Sequence, residues 1–126
     1  MLVLGLGSDI VNIKRIEKIL KNNKKNFLSK IFHKDEKKLK KFTANTIAKK
    51  FAAKEAFAKA IGTGIGKYIQ FNEICIHHNK NGAPKIKLEK NVEKRILVKL
   101  KLKKINFFLS ISDDYPFALA TVIISN

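Results

Sequence analysis

The chain has 126 residues, 45% of them hydrophobic, which suits one domain burying roughly two-thirds of the surface its unfolded chain exposes. With 27 basic and 10 acidic residues, the net charge is +17. Such a field attracts polyanions: nucleic acid, anionic membranes, phosphorylated small molecules or acidic proteins. One cysteine, Cys75, excludes an internal disulfide, and no apolar run approaches the roughly 20 residues of a membrane span, so a cytoplasmic protein is expected.

The opening MLVLGLGSDIV lacks a basic leader and meets Asp9 early, so residues 2–11 are expected to form a buried strand rather than a signal peptide. Its glycines at 5 and 7 suggest a place where chain or ligand comes close. Asn12 is a helix cap, followed by Ile13, Ile16, Ile19 and Leu20 at helical spacing. Asn22–Asn26 reads as a break, and Phe27, Leu28, Ile31 and Phe32 as a second short helix. Residues 33–42 are lysine-dense, with Leu39 and Phe42 as inward anchors.

Thr43 is expected to cap the longest helix, residues 44–61, with Ile47, Phe51, Ala58 and Ile61 as its apolar stripe. Alanines at 52, 53, 56, 58 and 60 keep its surface shallow, so another element can lie close. Gly62 is a reasonable stop. Residues 71–77 and 85–90 alternate as strands around NKNGAP, an Asn-Gly hairpin signal. Residues 91–102 read as a basic helix with Val92, Ile96, Val98 and Leu100 partly buried. Residues 105–111 and 117–124 are two further strands joined at SDDYP, with Phe107 and Phe108 as core. The predicted fold is α+β, an antiparallel sheet packed on one long central helix, in a single domain over residues 1–126.

Chemistry-bearing residues are few. Asp9 ends a strand and Glu55 sits mid-helix; if they meet, two carboxylates suit Mg²⁺, which takes few protein ligands and keeps places for water and phosphate. Taken alone, Asp9 also reads as a turn residue, and Glu55 as the i,i+4 partner of Lys59, a pair worth only about 0.3–0.5 kcal/mol. The loop Gly62–Gly66 (GTGIG) offers unobstructed backbone N–H groups that can wrap phosphate, although a helix stop and turn is the commoner meaning of such a sequence. Cys75 and His77 share a strand face, yet no second cluster completes a tetrahedral metal site. Ser110, Ser112, Asp113 and Asp114 have no histidine partner for a serine triad. Of the 27 basic residues only Arg15 and Arg95 are arginine, which weakens a nucleic-acid reading.

In order, GLGSDIVNIKRIE, KKFAAKEAFAKAIGTGIG, FNEICIHHNKNGAPKI and FLSISDDYPFALATVII resemble the holo-(acyl-carrier-protein) synthases, the small phosphopantetheinyl transferases, over nearly the whole chain. The resemblance implies Mg²⁺-dependent transfer of 4′-phosphopantetheine from coenzyme A to a serine of apo-acyl carrier protein, in fatty acid biosynthesis. By motif, Asp9 and Glu55 would ligate Mg²⁺ and Lys59 would neutralise the pyrophosphate. Lys50, Gly62, Gly64 and Gly66 would line the coenzyme A site, and Arg15 would meet the acidic carrier protein. It further implies a homotrimer with active sites between protomers, and neither nucleic-acid nor membrane partners.

One position departs from the pattern: Asp113 stands where the family's last hairpin has a histidine near the coenzyme A phosphates. A carboxylate there repels phosphate unless it is turned away, hydrogen-bonded or metal-linked. Two alternatives follow from the sequence. One is a basic nucleic-acid-binding module using the lysines around 34–41 and 94–104. The other is an inactive homologue that only binds carrier protein.

Overall fold

In a computed structural model, which describes residues 1–38 and 42–126, five strands and three α-helices follow one another as β1 (Val3–Asn12), α1 (Ile13–Ile31), α2 (Ala44–Ala60), β2 (Ile74–His78), β3 (Pro84–Leu88), α3 (Lys90–Leu100), β4 (Asn106–Asp114) and β5 (Phe117–Ser125). β1, β5 and β4 form an antiparallel sheet with β5 in the middle; β2 and β3 form a separate hairpin. The α+β class and the long central helix are as the sequence implied. The expected anchor Leu39 lies outside the described residues.

Local signals act where they were read. The Asn12 side chain accepts the Lys14 N–H (3.0 Å), and the Thr43 hydroxyl accepts the Thr46 N–H (3.1 Å), so both caps are made. The expected break at 22–26 is a kink in α1 at Asn23, where φ is −155° and ψ 48°. Phe32 packs on Phe42 with ring centroids 4.9 Å apart.

α2 is buried on most of its circumference: Ile47, Ala48, Ala52, Ala53, Ala56, Phe57, Ala58 and Ala60 are all enclosed. A helix apolar nearly all round belongs at the centre of a domain. It can lie on β1 because β1 offers glycine on that face. A Cβ at Gly5 would stand 2.0 Å from the Ala60 carbonyl oxygen, and one at Gly7 2.0 Å from that of Ala56. What approaches those glycines is the chain itself.

The other face of β1 corrects the expectation of a strand buried on both sides. Leu4, Leu6 and Ile10 point away from α2 and are exposed. The register sets Leu6 beside Ile123 and Ile10 beside Leu119, and Phe108 of β4 faces Ile123 from the opposite edge. Phe108, expected in the core, is therefore 47% exposed, while Phe107 faces inward, edge-on to Phe57 at 5.1 Å. Val98 is also outside the core, 70% exposed, because Val92 and Ile96 already define the inward stripe of α3.

A second anchor for α2 is polar. Glu36, in a 3-10 turn, is 2% exposed and Lys54 is fully buried. The Lys54 ammonium donates to Glu36 and to the Ile31 carbonyl (2.6 Å). Glu36 also accepts the backbone N–H of His33 (2.9 Å) and of Ile76 (3.0 Å), and the Lys50 ammonium lies 3.4 Å away. One carboxylate thus ties α2 to the end of α1 and to β2. Each buried side-chain nitrogen and oxygen of this cluster has a hydrogen-bond partner, the condition under which a buried charge is tolerated.

Two outcomes follow. Gly7→Ala drives a methyl into a helix backbone that cannot yield locally, and is expected to cost about 1–3 kcal/mol in urea unfolding. Lys25→Ala, exposed on α1, is expected to stay within about 0.5 kcal/mol under the same conditions. Glu36→Ala leaves Lys54 buried without its anion and is expected to cost about 3–5 kcal/mol. Burial lowers the Lys54 pKa and Glu36 opposes that, so removing Glu36 lowers it further. An unfolded lysine titrates near 10.5, so the folded variant sheds its proton first. Its stability deficit relative to wild type should therefore be largest around neutral pH, where wild type keeps the ion pair, and shrink as pH rises towards 10.5; a deficit that does not shrink over that range would contradict this origin.

Candidate functional site

Gly5, Gly7, Asp9 and Val11 share the face of β1 that meets α2, since alternate residues of a strand point the same way. Gly5 sits at Ala60 and Gly7 at Ala56, so strand and helix run in opposite directions along the contact. Two strand residues rise about 6.7 Å and four helical residues 6 Å, so the next inward residue, Asp9, falls one turn earlier on α2. There it faces the row formed by Glu55 and Lys59 one helical turn apart.

Asp9 and Glu55 are both half-buried and close enough to interact. Burial raises the Glu55 carboxyl above its usual 4.5, the Asp9 charge raises it further, and Lys59 only partly offsets this. Two half-buried carboxylates within interaction range offer an all-oxygen donor set that fits a hard divalent ion such as Mg²⁺. Lys59 does not form the expected pair with Glu55. Its ammonium donates to Asp9 Oδ1 (3.1 Å) and to the Ser8 carbonyl (3.0 Å), leaving Glu55 with no ion pair among the described residues.

The remaining predicted residues are placed less simply. Lys50 was expected beside a ligand, but it is 4% exposed and its ammonium donates to the Ile76 carbonyl (2.9 Å) next to Glu36. Its stem lines a pocket of about 310 Å³ together with Lys49, His78, Gly82, Pro84 and Asp113. The glycine loop keeps its φ > 0 turns at Gly62 and Gly64, but its N–H groups are occupied. Gly62 and Gly64 donate to the last carbonyls of α2, at Lys59 (3.0 Å) and Ala58 (3.1 Å), and Gly66 donates to Ile69 (2.9 Å). They close the helix rather than stand free for an anion. Arg15 is exposed on α1, beside a groove it forms with Lys18, Ile19, Asn22 and Asn23.

Asp113 has protein partners: Asn45 donates to it at 3.0 Å and the Lys49 ammonium lies 3.8 Å away. His77 and His78 are exposed, while Cys75, on the same strand, is buried. Sequence reasoning missed His33, which is buried with its Nε2 3.2 Å from Glu89 Oε1, and the central role of Glu36. The turn His-Lys-Asp-Glu after an apolar helix end offered a capping signal there, obscured by the surrounding lysines.

A model of the 4′-phosphopantetheinyl transferase superfamily matches residues 5–120. A holo-[acyl-carrier-protein] synthase from Ruthia magnifica subsp. Calyptogena magnifica is 42% identical over 126 residues, covering 98% of this chain and 97% of that protein. The crystal structure of the holo-[acyl-carrier-protein] synthase from Neisseria meningitidis superposes with a TM-score of 0.85 at 34% identity, over 99% of this chain and 100% of that one. That of the Helicobacter pylori synthase, in complex with coenzyme A, superposes with a TM-score of 0.81 at 38% identity, over 95% and 99%. With the strand–helix acid pair in place and the match running from Gly5 to Ala120, the chain belongs to the 4′-phosphopantetheinyl transferase superfamily.

Proposed function

We infer that the protein is a holo-(acyl-carrier-protein) synthase: it moves 4′-phosphopantetheine from coenzyme A to a serine of apo-acyl carrier protein, in fatty acid biosynthesis. The observation that carries the site assignment is that Asp9, from β1, and Glu55, from α2, lie half-buried within interaction range of each other, with the Lys59 ammonium donating to Asp9 Oδ1 at 3.1 Å. In the reaction the serine Oγ–phosphorus bond forms at the β-phosphate, and the bond from that phosphorus to the bridging pyrophosphate oxygen breaks. Adenosine 3′,5′-bisphosphate leaves and the serine proton passes to solvent.

Asp9 and Glu55 would hold Mg²⁺, which when bound offsets the charge of the pyrophosphate. Lys59, already tethered over Asp9, supplies a second positive charge on the same side. Lys49 and the stem of Lys50 line the neighbouring pocket as the coenzyme's berth. There Asp113, held by Asn45 and Lys49, has its charge compensated within the chain, which answers the objection that a carboxylate would expel phosphate. Gly62, Gly64 and Gly66 act through their lack of side chains, since nothing stands within 4 Å of where their Cβ atoms would be. Arg15 and Lys18, on an exposed face of α1, suit an acidic carrier protein.

The proposal includes a homotrimer. It is supported by the uncovered apolar face of the three-stranded sheet, where Leu6, Ile10, Phe108, Phe117 and Leu119 are each more than two-fifths exposed. A contiguous patch of that kind calls for a partner surface. No helix among the described residues is long and apolar enough to cross a membrane, and a cytoplasmic site of action completes the reading.

Three experiments test this. Incubated with apo-carrier protein, coenzyme A and Mg²⁺, the protein should yield the phosphopantetheine adduct by mass spectrometry. Asp9→Ala or Glu55→Ala should lower kcat/KM by at least about 100-fold, and chelation of the metal should stop the reaction. A lone glutamate needs pH above about 4.5 to ionise, and Glu55 needs a higher pH because its pKa is raised. Mg²⁺ affinity should accordingly weaken on acidification before an ordinary carboxylate pair would protonate. A flat Mg²⁺ dependence down to pH 5 would sink the assignment. Sedimentation equilibrium should return three times the 14.3 kDa chain mass, and Leu119→Glu should shift it to the monomer.

A further inference from the structure

Outside the Asp9–Glu55 site, one group of three metal-ligating side chains converges among the described residues. His33 and Asp35 lie in the turn after α1, and Cys75 lies on β2. Their ligand atoms are all within 4.8 Å of one another. His33 and Cys75 are each 4% exposed. This is not an acidic surface cluster: it combines imidazole, carboxylate and thiol in a largely enclosed place.

The histidine is oriented for the task. Its Nε2 faces Glu89 Oε1 at 3.2 Å, and its Nδ1 accepts the Asp35 N–H at 3.0 Å. The hydrogen-bond network therefore puts the proton on Nε2 and the lone pair on Nδ1, which lies 3.8 Å from Asp35 Oδ2. A carboxylate behind the far nitrogen is the arrangement by which metal-binding histidines are fixed and made more basic. Tetrahedral bonds of 2.0–2.3 Å put ligand atoms about 3.3–3.8 Å apart, so the three side chains need adjust by no more than about 1 Å to grip an ion. Cys75 and Asp35 also line a pocket of about 530 Å³, which leaves room for a water as fourth ligand.

The local charges set the terms. Lys38 and Lys87 approach Asp35 to 3.5 and 4.0 Å, and Lys50 lines the same pocket. A divalent ion must compete with them. A thiolate and a carboxylate would together cancel its charge. Soft thiolate and imidazole ligands also select against Mg²⁺, so the two sites take different ions.

We propose that His33 Nδ1, the Asp35 carboxylate and Cys75 Sγ form a binding site for a thiophilic divalent cation of the Zn²⁺ class. The ion joins the turn after α1 to the β2–β3 hairpin. Binding replaces the Asp35 N–H on Nδ1 with the metal and releases the Cys75 thiol proton to solvent.

The test is a titration of the chelator-stripped full chain with Co²⁺ and then Zn²⁺. Expected is one Co²⁺ per chain with a thiolate-to-metal charge-transfer absorption and tetrahedral visible bands, displaced by Zn²⁺ but not by excess Mg²⁺. Cys75→Ala should remove the charge-transfer absorption, and Glu89→Gln should weaken Zn²⁺ binding about 10–100-fold. His77→Ala/His78→Ala and Asp9→Ala should leave both unchanged. Far-ultraviolet circular dichroism on each variant separates loss of the site from loss of the fold, and Cys75→Ser gives a second thiol-free chain should Cys75→Ala unfold. Co²⁺ binding without a thiolate band, or Zn²⁺ affinity equal in wild type and Cys75→Ala, would overturn the proposal.

Discussion

The contact between β1 and α2 is the constraint on which the rest depends. At Gly5 and Gly7 a strand backbone and a helix backbone approach so closely that no Cβ fits between them. Glycine on one side and alanine on the other are the only small apolar choices, and both carry a conformational cost or a loss of buried area elsewhere. What that packing secures is distance. Asp9 is carried on the same strand face as the two glycines, and Glu55 on the turn of α2 next to Ala56. A helix held further out by larger side chains would separate the carboxylates. The Glu36 cluster acts on the same helix from the other direction, clamping Lys54, the residue before Glu55, to the end of α1 and to β2. The acid pair is thus fixed by an apolar contact on one side and a charged one on the other.

Charge in this molecule is decided locally. A net charge of +17 should favour every carboxylate's ionised form, yet the Glu55 pKa is raised. Most of the lysines are on the exposed surface, where solvent and salt screen them beyond about 10 Å. Burial and the adjacent Asp9 act at contact range and outweigh them. The same reasoning holds at Glu73, where burial pushes the pKa up but two hydrogen bonds from Arg95 outweigh it and hold the carboxyl below its usual value. The lysine surplus therefore says little about the chemistry of the site.

Much of the fold was legible because its signals are local. Asn12 and Thr43 cap where their side-chain chemistry says they should, and the asparagine-rich stretch after Leu20 kinks α1 at Asn23. The Asn-Gly turn separates β2 from β3. What failed to show was long-range. The β1 segment looked apolar on both sides because its inward positions are glycines, which hide the alternation; its leucines in fact face out. Glu36 looked like one more charge in a lysine-rich run, and only the fold brings it to Lys54, 18 residues on, and to Ile76, 40 residues on. The Asp9–Glu55 pairing was carried by motif resemblance alone, since 45 intervening residues give no hint of it in spacing.

The two faces of the three-stranded sheet explain why so small a chain can keep so open a site. One face is covered by α2 and holds the acids at its rim; the other bears Leu6, Ile10, Phe108, Phe117 and Leu119 in the open. A chain of this length has little core to draw on. Covering that second face with copies of itself would supply apolar burial on the side of the sheet away from α2. It would also stiffen β1 and β5, whose pairing at Asp9 and Ala120 sets where the carboxylate stands. In such an assembly one strand would serve both ends: leucines outward would meet the partner copies, while glycines inward admit the helix and Asp9 comes within range of Glu55.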